Sequence, residues 1–371
     1  MTAGPTAATR PHNRKQLIVE AAGQVFSERG YHAASMEEIA AAVGISAAAL
    51  YRHFPNKYAL FAGCADVMVD RLVAATADPG PAGVLAALTR VTVAHRASGG
   101  LYRWEARYLE RDDRRRLRAK FDQVVSRVAA TLQPPGERLR AVAALGVIGS
   151  VTMHHTSIAQ RRLEEMLLAS ALRVAATDPS SADGSAALVE LPAPPVPRTR
   201  RAEILAAAIP LFARDGFATV TNGQIAQAVG LAPSALYRHY PGKIDILVAA
   251  CLQAAGLLSQ AVDRHPSLTT LTAAYVAYSF EHNALNSVAE AEIRGLPAGL
   301  RRPLILAQRE YIAVWEQQLR AARPELDPRQ ARLLVHANFG VVVEAGRALR
   351  WQDTPGHRDT VTALAVGALN F

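Results

Sequence analysis

Apolar side chains recur at intervals of three and four residues through most of this sequence, which places them on one face of an α-helix. The first such stripe predicts a helix from about residue 14 to residue 29, and Gly30 ends it as a C-terminal cap. Further apolar stripes follow along the chain, so the pattern predicts an all-α protein. The members of the first stripe are Leu17, Ile18, Ala21, Ala22, Val25 and Phe26.

Residues 35–57 predict two short helices joined by a tight turn. Ser35 and Glu38 have the spacing of a capping box, which starts a helix. Gly44 then permits the left-handed turn, and Ser46 caps a second helix. A helix-turn-helix of this kind places its second helix, the reading helix, in the major groove of DNA. The positions of the reading helix that we expect to face solvent are Ala47, Ala48, Tyr51, Arg52 and His53.

The same stretch occurs twice, in an alignment without gaps that brings Ile39 onto Ile225. Between residues 14–61 and 200–247, roughly 18 of about 48 positions are identical. A repeat of about half the chain is too long to be one unit of a solenoid. The sequence therefore predicts two copies of one domain, which we call copy one (residues 14–177) and copy two (residues 198–371).

These repeated residues resemble the TetR family of bacterial transcriptional regulators. The family pattern begins with an amphipathic first helix that ends in glycine and an aromatic residue, here Gly30-Tyr31 and Gly216-Phe217. It continues with I-A-x-x-V-G, a reading helix containing L-Y-R-H-F/Y, and a lysine that opens the fourth helix. Both copies carry the whole pattern, which covers about a quarter of the chain. The resemblance implies a helical ligand-binding and pairing domain behind each helix-turn-helix.

The resemblance and a proline-rich stretch divide the chain into six predicted segments. They are a disordered tail (1–13), two DNA-binding domains (14–60 and 198–246), two ligand-binding or pairing domains (61–177 and 247–371) and a linker (178–197). We call the DNA-binding domains heads and the ligand-binding domains bodies. The linker holds five prolines and ends in PAPPVP, which is the composition of an extended spacer.

Composition narrows the possible functions. The net charge of +9 and the pI near 9.9 favour a polyanionic partner, although an arginine-rich composition alone gives the same sign. The two cysteines, Cys64 and Cys251, exclude a disulfide framework and a four-cysteine zinc site, and we expect both in the core. We find no signal-peptide core and no apolar run of the ~18 residues that a membrane span needs. We therefore expect a cytoplasmic protein without metal or cofactor.

Phosphate contacts are assigned by the family resemblance to the reading-helix residues Tyr51, His53, Tyr237 and His239. Lys57 and Lys243 each open a fourth helix, where a cation opposes the helix dipole. A phosphate bound between the lysine and the helix N-terminus would remove that conflict, so we expect DNA contact from both lysines. Ser46 is also placed to bond phosphate, but it is first of all a helix cap.

Base contacts are expected from the remaining exposed positions of the two reading helices. In copy one these are Ala47, Ala48 and Arg52, and in copy two they are Pro233, Ser234 and Arg238. Arginine pairs with guanine, whereas alanine offers only apolar contact to a thymine methyl group. Residues 14–57 carry five basic and four acidic side chains, but residues 198–243 carry six and two. We therefore expect the second head to be the stronger electrostatic anchor.

A ligand site is expected in the bodies, where polar residues recur within apolar surroundings. They recur in an alignment that brings Leu109 onto Leu296, which we call the body register. We predict a mostly apolar pocket for a small apolar molecule, such as a lipid-like compound or an acyl thioester. The predicted polar and aromatic edge consists of His95, Trp104, Glu105, Arg107 and Tyr108 in copy one and of His282, Glu292 and Arg294 in copy two.

The predicted function is that of a ligand-responsive transcriptional regulator, a repressor, with both reading heads in one chain. One alternative is a regulator in which one copy reads DNA while the other serves for pairing or sensing. Another is a dimer of chains rather than an intramolecular pseudo-dimer. An enzyme is the alternative from a different class, but no paired carboxylates or His-x3-His spacing accompany the histidines, and we predict no catalysis. The histidines considered were His95, His154, His155, His282 and His336.

Overall fold

The computed structural model describes residues 14–80, 83–101, 108–133, 137–154, 156–178, 189, 191, 196–264 and 267–370. Every regular element in these ranges is helical, so the all-α prediction is confirmed. The helices of copy one are α1 (Arg14–Arg29), α2 (Met36–Val43), α3 (Ala47–Tyr51), α4 (Lys57–Ala77), α5 (Val84–Ala94), α6 (Arg111–Ala130), α7 (Arg138–Gly149) and α8 (Gln160–Ala176). A 3-10 turn at Ser150–Thr152 extends α7.

Copy two repeats this order with one further described helix. Its helices are α9 (Arg200–Asp215), α10 (Asn222–Ala228), α11 (Pro233–Leu236), α12 (Lys243–Arg264), α13 (Leu268–Glu281), α14 (Asn283–Glu292), α15 (Ala298–Ala322), α16 (Pro328–Ala348) and α17 (Pro355–Leu369). A 3-10 turn at Ile293–Gly295 follows α14. α9 runs without a break through Pro210.

The helix-turn-helix forms in both copies for the local reasons that the sequence indicates. The Ser35 hydroxyl accepts from the Glu38 amide at 3.1 Å, and the Glu38 carboxylate accepts from the Ser35 amide at 3.1 Å. Thr221 and Gln224 make the same reciprocal capping box in copy two. Gly44 adopts a φ of 72° between the two helices of head one, a left-handed conformation that side chains with a Cβ disfavour.

Each head packs around its own apolar cluster, and each body contributes to it. Phe26 meets Phe61 edge-to-face at 5.4 Å in head one, and Phe212 meets Phe217 at 5.4 Å in head two. Beyond the fourth helix of each copy, the bodies contribute, among others, Leu101, Leu109 and Leu117 in copy one and Val288, Leu296 and Leu304 in copy two. These three pairs correspond in the body register, so the repeat extends beyond the helix-turn-helix.

The two bodies share one apolar core. α7 and α16 run antiparallel across the centre of this core. Gly146 of α7 faces Gly340 in the middle of α16. The Arg329 side chain, near the start of α16, donates to the Ser157 carbonyl, beyond the end of α7, at 3.1 Å. Their backbones touch where they cross, since a Cβ on Gly146 would lie 2.5 Å from the Gly340 carbonyl oxygen. Beside them the Ser170 hydroxyl donates to the Ala368 carbonyl, which joins α8 to α17. Surface that would otherwise face water is thus buried within one chain.

Asp112 and Asp113 lie in the first turn of α6, where acidic side chains interact favourably with the positive end of the helix dipole. In the linker, which the sequence predicts to be an extended spacer, Val189 is 6% exposed and packs beside Ala261 and Ala277 of copy two. The linker therefore has at least one apolar anchor on the second body.

Residues 243–262 of α12 are long and apolar enough to cross a membrane, by length and composition, with a mean hydropathy of 1.6. The expectation that no segment reaches this length is therefore wrong. No other helix within the described ranges meets both conditions. Leu247, Ala250 and Ala254 of α12 pack into the core of copy two, and core helices of soluble proteins meet the same test.

Candidate nucleic-acid interface and effector region

The reading helix of head one projects a row of exposed polar side chains. The Ser46 hydroxyl accepts from the Ala49 amide at 3.2 Å and so fixes the start of α3. Ala48, Tyr51, Arg52 and His53 are exposed, and Tyr51 is 46% exposed despite its large ring. Ala47 differs from the expectation, because it is half-buried against the core of the head.

Head two presents the same row on a shorter helix. α11 begins with Pro233, a residue that suits the first helical position because its missing N–H would have no partner there. Pro233, Ser234, Tyr237 and Arg238 are exposed, and Tyr237 is 55% exposed. The Asn222 amide donates to the Tyr237 hydroxyl at 3.0 Å, so this ring is held in place. His239 is half-buried.

Each reading helix is seated on the first helix of its head by a buried leucine and a cation–π contact. Leu50 and Leu236 are at most 1% exposed under the two reading helices. The Lys15 amine lies 5.5 Å from the centre of the Phe54 ring, and the Arg201 guanidinium lies 3.9 Å from that of Tyr240. These contacts lie at equivalent positions of the repeat and hold the exposed row in one orientation.

Lys57 and Lys243 take a role that the sequence did not predict. The Lys243 amine donates to the carbonyls of Phe217 and Val220 at 2.6 Å each and to that of Ala218 at 3.3 Å. The Lys57 amine donates likewise to the carbonyls that end its loop, and both amines lie over an aromatic ring. Burial lowers the pKa of both lysines. The lysines lock the loop after the first helix, and their contact with phosphate stays a prediction.

His95 lies at a polar junction between head one and its body, and its part in a ligand pocket stays a prediction. Its Nδ1 atom is 3.1 Å from the Arg71 guanidinium, which donates to the Glu20 carboxylate at 2.6 Å. Burial is the largest influence on His95 and lowers its pKa, and Arg71 lowers it further. In the alignment of the two heads, copy two has Ala206 and Leu257 in place of Glu20 and Arg71, so this polar junction belongs to copy one alone.

Glu292 connects the two copies. Its carboxylate accepts from the Phe217 amide at 3.1 Å, which ties the end of α14 to the loop of head two. Tyr108 of copy one donates to the same carboxylate at 3.5 Å, and its ring stacks on Tyr31 at 5.6 Å. Tyr108 and Glu292 therefore lie together between the two heads, and their part in a ligand pocket stays a prediction. Trp104, Glu105 and Arg107 and the side chain of Arg294 lie outside the described part of the chain.

Within the described residues, the histidines belong to no cluster of three or more side chains that could hold a metal ion. His154 and His336 stack at 4.2 Å across the interface of the two bodies, and Nδ1 of His154 is 2.7 Å from the Thr156 hydroxyl. His282 caps α13 beside the Tyr278 ring, at 5.6 Å. His155 lies outside the described residues.

The cysteines occupy the core, as the sequence predicts. Cys64 is 5% exposed and its thiol donates to the Val19 carbonyl, whereas Cys251 is 3% exposed among apolar neighbours. Burial raises the pKa of the Cys64 thiol well above its ordinary value and that of Cys251 to about 12. Both thiols are therefore protonated at neutral pH and pack as small apolar groups.

Sequence reasoning missed a set of aromatic residues in the second body. Tyr275, Tyr278, Tyr311, Trp315 and Phe339 are buried together between α13, α15 and α16. Their ring centres lie 4.6 to 6.4 Å apart in successive contacts. A comparison of the two copies in the body register reveals this set, because copy one has no aromatic residue at the corresponding places.

Comparison with known proteins supports the assignment of two helix-turn-helix heads. The sequence profile of bacterial regulatory proteins of the tetR family matches twice, over residues 18–64 and 204–250. Over 64 residues the chain is 47% identical to the HTH-type transcriptional activator FasR of Mycolicibacterium smegmatis, covering 17% of this chain and 29% of that protein. Over 72 residues it is 33% identical to the HTH-type transcriptional repressor Rv1474c of Mycobacterium tuberculosis, covering 19% and 38%.

A further relative is the nucleoid occlusion factor SlmA of Photorhabdus laumondii, 38% identical over 66 residues, which cover 18% of this chain and 33% of that protein. Each of these matches spans less than two fifths of the relative.

Among solved structures, a TetR-family regulator from Bordetella parapertussis aligns at 21% identity and a TM-score of 0.41, covering 45% of this chain and 93% of that one. The regulator PfmR from Thermus thermophilus aligns at 23% identity and a TM-score of 0.39, covering 45% and 96%. Both helix-turn-helix heads match the profile of the tetR family of bacterial regulatory proteins, so this chain carries two heads of the tetR type in tandem.

Proposed function

We propose that this protein is a DNA-binding transcriptional regulator, a repressor, whose two heads occupy one operator from a single chain. The observation that carries the proposal is the pair of exposed reading rows, each seated on its own head while the bodies share one core. DNA-reading dimers of this kind place two heads on two half-sites. Here the covalent duplication supplies both heads, and the protein acts in the cytoplasm, where chromosomal DNA lies.

The two reading rows support different half-sites. Arg52 and Arg238 are shared, whereas Ala47 and Ala48 of head one correspond to Pro233 and Ser234 of head two. No symmetry operation makes the two targets equal, because each chain contains one of each head. We therefore propose an imperfect palindrome or two unlike half-sites, bound by one chain.

The connection through Glu292 supports control by a small apolar ligand. Its carboxylate holds the loop of head two and also meets Tyr108 of copy one, so a shift of α14 changes the distance between the heads. Two heads bind one operator only when their spacing matches its half-sites. A ligand that binds preferentially the mismatched arrangement therefore lowers DNA affinity.

The proposal is tested by footprinting the protein on the DNA upstream of its own gene and then measuring binding to that site by fluorescence anisotropy. The double variants Tyr51→Ala/His53→Ala and Tyr237→Ala/His239→Ala should each weaken binding at least tenfold, since each loses two contacts worth about 1 kcal/mol apiece. A matched control is Arg161→Ala/Glu165→Ala, which removes an exposed ion pair on α8 without changing net charge.

The two alternative arrangements give different results in the same assays. If one double variant binds normally, that head does not read DNA and serves for pairing or sensing. Native mass spectrometry on the footprinted duplex should find one chain per operator. Two chains on a perfect palindrome would contradict the intramolecular pseudo-dimer.

A further inference from the structure

The interiors of the two bodies have diverged in chemistry. Copy two buries phenol and indole rings where copy one, in the body register, has buried or partly buried aliphatic side chains. The corresponding residues, in order, are Tyr275, Tyr278, Tyr311 and Trp315 in copy two and Leu88, Val91, Val124 and Val128 in copy one. A core needs only shape and apolarity to be stable, so the four large rings with polar atoms are not required for folding.

The polar atoms of these rings lack partners within the described protein. The Tyr278 hydroxyl, the Tyr311 hydroxyl and the Trp315 Nε1 atom make no hydrogen bond. Tyr278 and Trp315 are 0% exposed and Tyr311 is 8% exposed. The indole N–H of Trp315 points towards the Tyr311 phenol and lowers its pKa by hydrogen bonding, against the larger, opposite effect of burial, although the two atoms do not reach ordinary hydrogen-bond geometry. Buried polar groups of folded proteins rarely lack a hydrogen-bond partner.

The chemistry of the unpartnered atoms limits what can bind among them. An indole N–H only donates, and a phenol hydroxyl donates readily, so the complementary ligand carries acceptor oxygens. Five neighbouring rings favour a flat apolar body that stacks on them. Glu290 of α14 acts on both Tyr275 and Tyr278 through its charge, and a negative group on the ligand would be repelled by that carboxylate.

We propose that effector binding belongs to copy two alone, where a neutral, planar, apolar molecule with acceptor oxygens binds among Tyr278, Tyr311 and Trp315, one per chain. The proposal rests on the function proposed above, in which a ligand controls DNA binding. It also narrows the expected ligand, because a lipid-like compound or acyl thioester that carries an anionic group is unsuited to a site beside Glu290. Copy one, whose aliphatic interior offers no unpartnered donor at the corresponding described positions, serves as the fixed half of the pair.

The proposed site is connected to head two through two consecutive helices. Tyr278 lies one turn before the end of α13, and His282 joins that helix directly to α14. α14 ends at Glu292, which holds the Phe217 amide of head two. A molecule that enters between α13 and α15 therefore displaces the helix that positions the second head, whereas head one has its own junction through Arg71 and Glu20.

The test is a titration of the full-length protein with Nile red, a neutral planar dye with a ketone oxygen, followed by its fluorescence increase. Saturation is expected at one dye per chain. The variants Tyr278→Phe and Tyr311→Phe should each weaken dye binding about five- to tenfold, because each loses one hydrogen bond to the ketone. The anionic dye 1-anilinonaphthalene-8-sulfonate should bind at least tenfold more weakly than Nile red.

A matched control comes from the other copy. Thr92→Val removes a buried hydroxyl from α5 of copy one, at the position equivalent to Ser279, and should leave dye binding unchanged. Neither tyrosine variant should unfold the protein, since each removes a hydroxyl without a partner, and circular dichroism checks this. Saturation at two dyes per chain, equal loss in Thr92→Val, or no saturable binding would each overturn the proposal.

DNA binding without dye separates this proposal from the proposed function. Tyr278→Phe and Tyr311→Phe should bind the footprinted operator as the wild type does, because they lie in the second body. If the wild type binds the operator but the dye titrations differ from the expected results, only the assignment of the effector site is contradicted. If the wild type binds no operator, the regulatory function itself falls, whatever the dye does.

Discussion

The crossing of α7 and α16 offers the sharpest test of the intramolecular pairing. A Cβ on Gly340 would lie 2.3 Å from the Gly146 carbonyl oxygen, and ordinary van der Waals contact begins at 3.4 Å. The obstructing atom is backbone, so Gly340→Ala requires the two helices to separate by about 1 Å. Apolar side chains on both sides of the crossing, such as Val147 and Val341, would lose contact as the helices part.

The expected magnitude combines two opposing effects. Overpacking of a tight core contact costs about 1–3 kcal/mol, and backbone that cannot yield places this site at the upper end. Alanine favours the helical state over glycine by about 1 kcal/mol, which offsets part of that loss. We therefore expect Gly340→Ala to lower the free energy of unfolding by about 1–2 kcal/mol.

Gly256→Ala is the matched control for this experiment. Gly256 lies inside α12, and a Cβ there would meet nothing within 4 Å. The same chemical change should therefore raise the free energy of unfolding by about 0.5–1 kcal/mol. Urea unfolding followed by circular dichroism measures both variants under one condition.

The two variants should move the urea midpoint in opposite directions. If Gly340→Ala is as stable as Gly256→Ala, the backbones of α7 and α16 do not meet at these glycines. Operator affinity is an independent measurement of the same effect, because separation of the two bodies changes the spacing of the heads. Gly340→Ala should therefore bind the operator more weakly than Gly256→Ala.

Three further predictions follow from single side chains. Lys243→Met leaves three main-chain carbonyls, including that of Val220, without their donor and should lower the unfolding free energy by about 2–3 kcal/mol in urea. Burial, with a smaller effect of a nearby arginine, lowers the pKa of His336 from 6.5 to about 4, so the unfolded chain takes up a proton that the folded one excludes. Stability should fall by up to about 3 kcal/mol as pH drops from 6.5 towards 4, a loss that His336→Gln should flatten in acid titrations. Cys64 and Cys251 should resist a thiol reagent at pH 8 until urea unfolds the protein, and rapid native labelling of either would contradict their burial.

Much of each head was predictable because its determinants are local in sequence. Capping boxes act within four residues, and the Ser35–Glu38 and Thr221–Gln224 pairs form as their spacing indicates. The left-handed turn at Gly44 depends only on the absence of a Cβ. Repetition of the pattern in one chain then identified the duplication and the family before any tertiary contact was known.

The contacts that the sequence did not determine join residues far apart in the chain. Lys57 and Lys243 open helices and suggest phosphate binding, but the carbonyls that accept hydrogen bonds from their amines lie more than twenty residues earlier. His95 sits among apolar residues in sequence, yet Arg71 and Glu20 reach it across three helices. Tertiary packing determines which distant residue becomes the hydrogen-bond partner, and the spacing of residues in the sequence does not indicate it.

The pairing of the two bodies was likewise decided only by the tertiary structure. Gly146 permits the close approach of another helix, but nothing local in the sequence identifies Gly340 of α16 as the partner. The buried rings of Tyr278 and Trp315 were equally hard to recognise in the sequence, because an aromatic residue on an apolar helix face is typical of ordinary core. Their significance depends on unpartnered atoms and on divergence from copy one, and both become visible only when the helices are assembled.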